Sequence, residues 1–216
     1  MRVVFMGTTP FSNVVLQQLI DDNYNIVGVI TQPDRKVGRK RILTPPVTKI
    51  LANTHGIEVY QPESIRKEFQ PILDMKPDVI VTCAYGQIVP KVILDYPKYG
   101  ALNVHASLLP KYRGGAPIHK AIIEGETETG VTLMHMDVGM DTGDMLAKRM
   151  VSIDHQDTFG DVEAKLMDVT KLLIHDDFKA YLAGNLTSLK QNDDEASYAY
   201  AIKRDEEFVS FKKNIF

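Results

Sequence analysis

Val3-Val4-Phe5-Met6, then Pro10-Phe11-Ser12-Asn13-Val14-Val15 with Leu19, then Ile26-Val27-Gly28-Val29-Ile30 form the stretch that decides the fold. The first and third runs are short, apolar and rich in β-branched residues, which suits strands buried on both faces of a parallel sheet. Between them Phe11, Val14, Val15 and Leu19 fall at helical spacing behind Pro10, a residue tolerated in a first helical turn. The unit recurs. Residues 57–60, 79–83 and 101–104 read as further strands, and Val47, Ile50, Leu51 and Thr54 as a helix after Pro45-Pro46. A β-α-β-α order implies a parallel sheet covered by helices.

The second half reads differently. Residues 129–136 and 145–153 suit longer strands joined by a glycine-bearing loop, and Phe159, Val162, Leu166, Val169 and Leu173 mark a long amphipathic helix. Residues 184–216 turn polar and charged, as the start of a linker would. With 44% hydrophobic and 25% charged residues over 216 positions, the chain has an ordinary globular composition. Its 25 basic and 28 acidic residues give a net charge of −3, so a polyanionic partner must be met by a local patch. Cys83 is the one cysteine, which excludes an intrachain disulfide and a cysteine-based metal cage. No apolar run suits a signal peptide or a membrane span, and a soluble, cytoplasmic protein is expected.

Met6-Gly7-Thr8-Thr9-Pro10 stands where a dinucleotide fingerprint would, with one glycine where three are needed. A strand-to-helix turn is the better reading, with Gly7 supplying backbone freedom. In Asn103-Val104-His105-Ala106-Ser107-Leu108-Leu109-Pro110, positions 103 and 105 share one face at a strand's carboxyl end, where open α/β sheets bind ligands. An amide and an imidazole there can bond one carbonyl and move one proton; equally, they can be a polar pair ending a strand. Asp137, Asp141 and Asp144 crowd a loop with Gly139 and Gly143. The calcium-loop spacing and its terminal glutamate are missing, so a turn held by aspartates, or one aspartate serving as proton acceptor, is expected rather than a metal site. Asp34-Arg35-Lys36-Val37-Gly38-Arg39-Lys40-Arg41 sets five basic residues against one acid after the second strand. Such a run is usually a solvated loop, and here it makes a phosphate-bearing partner plausible. His119 and the other four histidines have no partner by spacing, and Cys83 reads as a core residue.

Together these residues resemble the folate-dependent formyltransferases. The shared motif is Asn103-x-His105 followed by Ser107-Leu108-Leu109-Pro110, with a distant aspartate in a glycine-rich loop. Three stretches look like the tRNA-acting branch: Gln32-Pro33-Asp34-Arg35 through Arg39, Tyr112-Arg113-Gly114-Gly115-Ala116-Pro117-Ile118, and the loop from Met136 to Met145. The resemblance implies a Rossmann-like α/β fold, a mostly parallel open sheet with helices on both faces. It implies formyl transfer from 10-formyltetrahydrofolate, as co-substrate and without a metal, to the amino group of methionyl-initiator tRNA. Asn103, His105 and Asp141 would be catalytic. Ser107, Leu108, Leu109 and Pro110 would line the folate pocket with Tyr85, Gly86, Gln87 and Ile88. Arg35, Arg39, Lys40 and Arg41 would meet the tRNA, with Lys40 replacing the family's usual glycine. Residues 1–205 would form the catalytic domain, and 206–216 would open a linker to a C-terminal β-barrel lying beyond this chain, as in a truncated or split protein. The rivals are transfer to an amino sugar or glycinamide ribonucleotide, hydrolysis of the formyl-folate, and a non-catalytic folate- or RNA-binding module.

Overall fold

The computed structural model describes residues 1–203. The elements run β1 (Arg2–Gly7), α1 (Pro10–Asp21), β2 (Asn25–Ile30), β3 (Arg35–Val37), β4 (Ile42–Thr44), α2 (Val47–Thr54), β5 (Val59–Tyr60) and α3 (Gln70–Asp74). They continue through β6 (Val79–Cys83), α4 (Lys91–Leu94), β7 (Ala101–His105), α5 (Pro117–Ile123), β8 (Glu128–His135), β9 (Met145–Ser152) and α6 (Phe159–Leu172). A π-helical turn over Leu173–Phe178 then leads into α7 (Lys179–Leu182).

One seven-stranded sheet in the order β5-β2-β1-β6-β7-β8-β9 organises the chain. Its pairs are parallel from β5 to β7, and β8 and β9 join antiparallel. The core lies on both faces, as runs without polar alternation require. Val3 and Phe5 of β1 pack with Val15 and Leu19 of α1 and Leu166 of α6, while Val4 and Met6 pack on the opposite side with Ile72 of α3 and Ile93 of α4.

The structure departs from the sequence reading in four places. The basic run forms the hairpin β3–β4 rather than a loop, pairing Arg35 with Thr44 and Val37 with Ile42. Gly38 and Arg41 take the left-handed turn positions at φ +71° and +47°, so the turn does not need a glycine at Lys40. Gly7 is needed for space rather than for unusual backbone angles, because a Cβ there would lie 2.7 Å from the Phe5 ring and from Ser12 Cβ. The amphipathic helix does not stop at Leu173. It carries on through the π turn, which buries Leu173, Ile174 and Phe178. Finally, residues 184–203 do not leave the domain: Leu189 exchanges backbone hydrogen bonds with Met145, and Gln191 and Ala199 are buried. The boundary expected at 205 and the linker over 206–216 lie outside the described residues.

Ser12 ties the first helix to the sheet. Its Oγ accepts the Thr8 and Thr9 N–H groups at 3.1 Å each and donates to the Cys83 carbonyl at 2.6 Å, all at a fully buried position. Ser12→Ala should therefore lower the unfolding free energy by about 1–3 kcal/mol, since three backbone groups, one buried and two half-buried, lose a partner. Urea unfolding measures this, and an unchanged midpoint would show that the turn is held by other contacts.

Candidate functional site

The order of the strands places the site. The chain winds from β1 outward to β5, then returns to add β6 and β7 on the other side of β1. The carboxyl ends of β1 and β6 thus flank the point where winding reverses, which is where open α/β sheets hold ligands. A cavity of about 440 Å³ opens there, with Thr9, Tyr85, Asn103, His105, His119 and Asp141 among its walls. Phe11, Val89, Ile118 and Phe159 make much of the remainder apolar.

Asn103 and His105 leave the same face of β7, as their two-residue spacing requires. Asn103 stands beside Thr82 in the β6–β7 register, and Thr82 Oγ1 donates to Asn103 Oδ1 at 2.9 Å. That bond turns the amide nitrogen towards Asp141, where Nδ2 lies 3.4 Å from Oδ1. The opposite amide orientation would set two acceptor oxygens face to face. His105 is buried, and its Nε2 donates to the Tyr112 carbonyl at 2.9 Å. With that nitrogen committed, Nδ1 is the one free to exchange a proton, and it lies 3.7 Å from Asp141 Oδ2.

Asp141 reaches this position from the β8–β9 loop at φ +54°, a left-handed conformation that side chains other than glycine seldom adopt. Gly114 N–H donates to its Oδ2 at 2.8 Å. Ala84 and Tyr112 are also left-handed, at φ +44° and +60°; Ala84 walls the cavity, and Tyr112 holds His105 through its carbonyl. Each such residue costs about 1–3 kcal/mol locally and persists because its surroundings over-determine it. The other two acids of the loop differ from Asp141. Asp137 accepts from Gly139 N–H and Thr142 Oγ1, closing the turn, while Asp144 contributes its carbonyl to His135 N–H at 2.8 Å.

The remaining expected residues divide. Tyr85, Gly86 and Gln87 wall the cavity, clamped by Thr8 Oγ1 and Gln32 Nε2 donating to the Tyr85 carbonyl and by Gln87 Nε2 donating to Pro62. Ile88 turns outward, 68% exposed. Ser107, Leu108, Leu109 and Pro110 are not on this wall. Ser107 and Leu109 are fully buried, Thr132 Oγ1 bonds the Ser107 carbonyl and the Leu109 N–H, and Lys148 Nζ donates to the Leu109 carbonyl. Leu108, Leu109 and Pro110 instead border a separate cavity of about 250 Å³ with Lys148 and Glu195. Arg35, Arg39, Lys40 and Arg41 are exposed on the hairpin, and Asp34, the acid of that run, pairs with Lys49 at 2.8 Å. Lys49 and Gln61 bonded to it hold the Asp34 carboxyl below its ordinary range. Burial pushes the Cys83 thiol up to about 12, which makes it inert in the core.

Sequence reasoning missed Thr82, the Tyr112 carbonyl and the Gly114 N–H. Thr82 had a signal, a lone hydroxyl in the apolar run Val79-Ile80-Val81-Thr82-Cys83. The backbone groups had none. His119, left without a role by spacing, stacks on Phe159 at 4.2 Å beside the cavity.

Residues 1–176 match the formyl transferase family. The methionyl-tRNA formyltransferase of Geobacillus sp. (strain WCH70) is 52% identical over 214 residues, which cover 98% of this chain and 67% of that protein. Among solved structures, the methionyl-tRNA formyltransferase from Clostridium thermocellum superimposes with a TM-score of 0.67 at 17% identity, over 100% of this chain and 78% of that one. An N-formyltransferase from Helicobacter canadensis, in complex with folinic acid and dTDP-3-aminofucose, does so with a TM-score of 0.70 at 20% identity, over 98% and 75%. At these identities the two structures establish the fold alone.

The Thr82 hydroxyl generates a prediction of its own. Thr82→Val should leave the sheet intact at a cost of about 0.5–1.5 kcal/mol and free the Asn103 amide to rotate. The Asn103 side-chain amide protons should then exchange faster with solvent by NMR. Unchanged exchange would mean that Asp141 alone orients the amide.

Proposed function

The chain belongs to the formyl transferase family, and on that footing we propose that it transfers a formyl group from 10-formyltetrahydrofolate to the free amino group of methionyl-initiator tRNA. The observation that carries the acceptor is its identity, along nearly its whole length, to enzymes named for methionyl-tRNA. The convergence of Asn103, His105 and Asp141 on one cavity supports the chemistry.

Attack of an amine on a formyl carbon develops negative charge on the formyl oxygen. Asn103 Nδ2–H, aimed by Thr82, is the donor for that oxygen. His105 works at Nδ1, because Nε2 is held by Tyr112; a proton carried there can bond the oxyanion or pass to the departing nitrogen. Asp141 accepts the proton that the amine gives up, directly or through a water, and faces Nδ1. The amine loses one proton and N10 of the folate gains one, so the site ends the reaction in balance. No covalent enzyme intermediate is needed, and the rest is positioning.

The apolar walls and the clamped Tyr85-Gly86-Gln87 segment suit the folate ring system, and about 440 Å³ falls in the ordinary range for small-molecule sites. The 107–110 turn follows His105 directly and is held by Thr132 and Lys148. The exposed hairpin, with Arg35, Arg39, Lys40 and Arg41 and no acid between them, offers its charge to the tRNA backbone. Residues 1–205 act as the catalytic unit.

Transfer to charged initiator tRNA by this chain is the test, and turnover of the folate without formylated product would sink the proposal. Asn103→Ala should lower the transfer rate by about 10²–10³, and His105→Ala by at least ~10², with folate affinity nearly kept. Asp141→Asn should likewise collapse turnover at neutral pH. Asp137→Asn should act through stability, by about 0.5–3 kcal/mol. Equal rate losses at 137 and 141 that tracked their melting temperatures would make the loop a scaffold only.

Binding to tRNA should weaken steeply with salt. Arg39→Gln and Arg41→Gln should each reduce the slope of log affinity against log salt by about 1 if the residue meets a phosphate. Unchanged slopes in both variants would remove the hairpin from the tRNA surface.

A further inference from the structure

The strongest unassigned feature is a buried polar chain that runs from Arg113 through Gln191 to the loop carrying Asp141. Gln191 is 5% exposed and Arg113 2%. Gln191 Oε1 accepts from Arg113 Nε at 3.0 Å and Nη2 at 2.9 Å. Its Nε2 donates to the backbone carbonyls of Asp141 and Gly143, both at 2.8 Å. Both amide protons and the amide oxygen of Gln191 are thus used, and such buried polar bonding rigidifies the groups it joins.

Those groups include the backbone of Asp141. That residue sits at φ +54°, and Gly143 two positions on is pressed so close to the His135 carbonyl that a Cβ there would lie 2.0 Å from it. The carbonyls on either side of Thr142 are therefore fixed by a single side chain. The Asp141 carboxylate gains from this, since its own contacts are the Gly114 N–H at 2.8 Å and the longer approaches of Asn103 at 3.4 Å and His105 at 3.7 Å. Gln191 bonds the loop's backbone and leaves the carboxylate free for chemistry.

We propose that Gln191 is a positioning residue for the reaction, holding Asp141 in register with His105 and Asn103, with Arg113 fixing Gln191 in turn. The inference rests on the formyl-transfer reading above. It makes the segment after Leu189, sequence that looked like the beginning of a linker, a working part of the site. Arg113 also bonds Asp193 at 2.8 Å, and its backbone exchanges hydrogen bonds with Ser197 and Ala199, so the whole segment is seated by the residue that orients Gln191.

Gln191→Glu keeps an acceptor for Arg113 but removes both N–H donors to the loop. Gln191→Met removes the donors with no new charge and serves where the glutamate disturbs folding. Either variant should lower kcat for formyl transfer by about 10- to 100-fold, the scale of a misplaced catalytic group, while KM for 10-formyltetrahydrofolate stays within about threefold. A residue that only supported the fold would add the same loss in every background. One acting through Asp141 should cost less than about twofold once Asp141→Asn has been made. A kcat within about twofold of the unsubstituted chain, or equal losses with and without Asp141→Asn, would overturn the role of Gln191 alone. Absence of transfer by the unsubstituted chain would overturn the underlying reading, and this role with it.

Discussion

A guanidinium taken out of water must find partners for its donors, and Arg113 finds them in a segment about 80 residues further along the chain. Much of the site follows from that requirement. Seating the 189–199 segment against Arg113 places Ser197 and Ala199 along its backbone and Gln191 beneath the β8–β9 loop. The neighbours of Arg113 are then fixed too. Tyr112 presents its carbonyl to His105, and Gly114 presents its N–H to Asp141. Three consecutive residues, one by its side chain and two by their backbones, set the geometry of the β7 end, the β8–β9 loop and the 189–199 segment.

The sheet supplies the platform for this arrangement. Strands buried on both faces are hard to displace, so residues at their carboxyl ends are held to a fixed register. Thr82 and Asn103 meet because β6 and β7 pair in that register. Ala84, Tyr112 and Asp141, at or beside the site, all adopt left-handed angles, as do Asn23, Arg41 and Lys76 elsewhere. A rigid sheet with strained residues at its edge suits a reaction that asks the protein chiefly to hold two substrates and move one proton.

The buried strands of the main sheet were legible because their signal is local: Val79-Ile80-Val81 is apolar on both sides wherever it packs, whereas the charged β3–β4 hairpin carries no such signal. The pair Asn103 and His105 was legible because a two-residue step on a strand fixes a shared face. The placement of Asp141 beside them came from family likeness, since nothing in a loop's own sequence says which strand end it will meet. The contributions of Tyr112 and Gly114 are backbone groups and carry no side-chain signature. Gln191 lay hidden in a polar stretch whose composition resembles a linker, and only its burial against Arg113 distinguishes it. Ser107, Leu108, Leu109 and Pro110 came to the folate pocket by family likeness as well, and the bonds from Thr132 hold that segment off the wall of the 440 Å³ cavity.

The central claim is that the formyl group reacts between Asn103 and Asp141. A crystal structure of the chain with an unreactive analogue of 10-formyltetrahydrofolate, its formyl group held on a carbon in place of N10, tests it most directly. The folate ring should lie against Tyr85-Gly86-Gln87, with its formyl-bearing edge towards Asn103 and a clear path from Asp141 to the formyl carbon. The formyl oxygen should come within about 3 Å of Asn103 Nδ2. A folate seated instead between the 107–110 turn and Lys148, or one whose formyl-bearing edge faces away from Asn103, would contradict it.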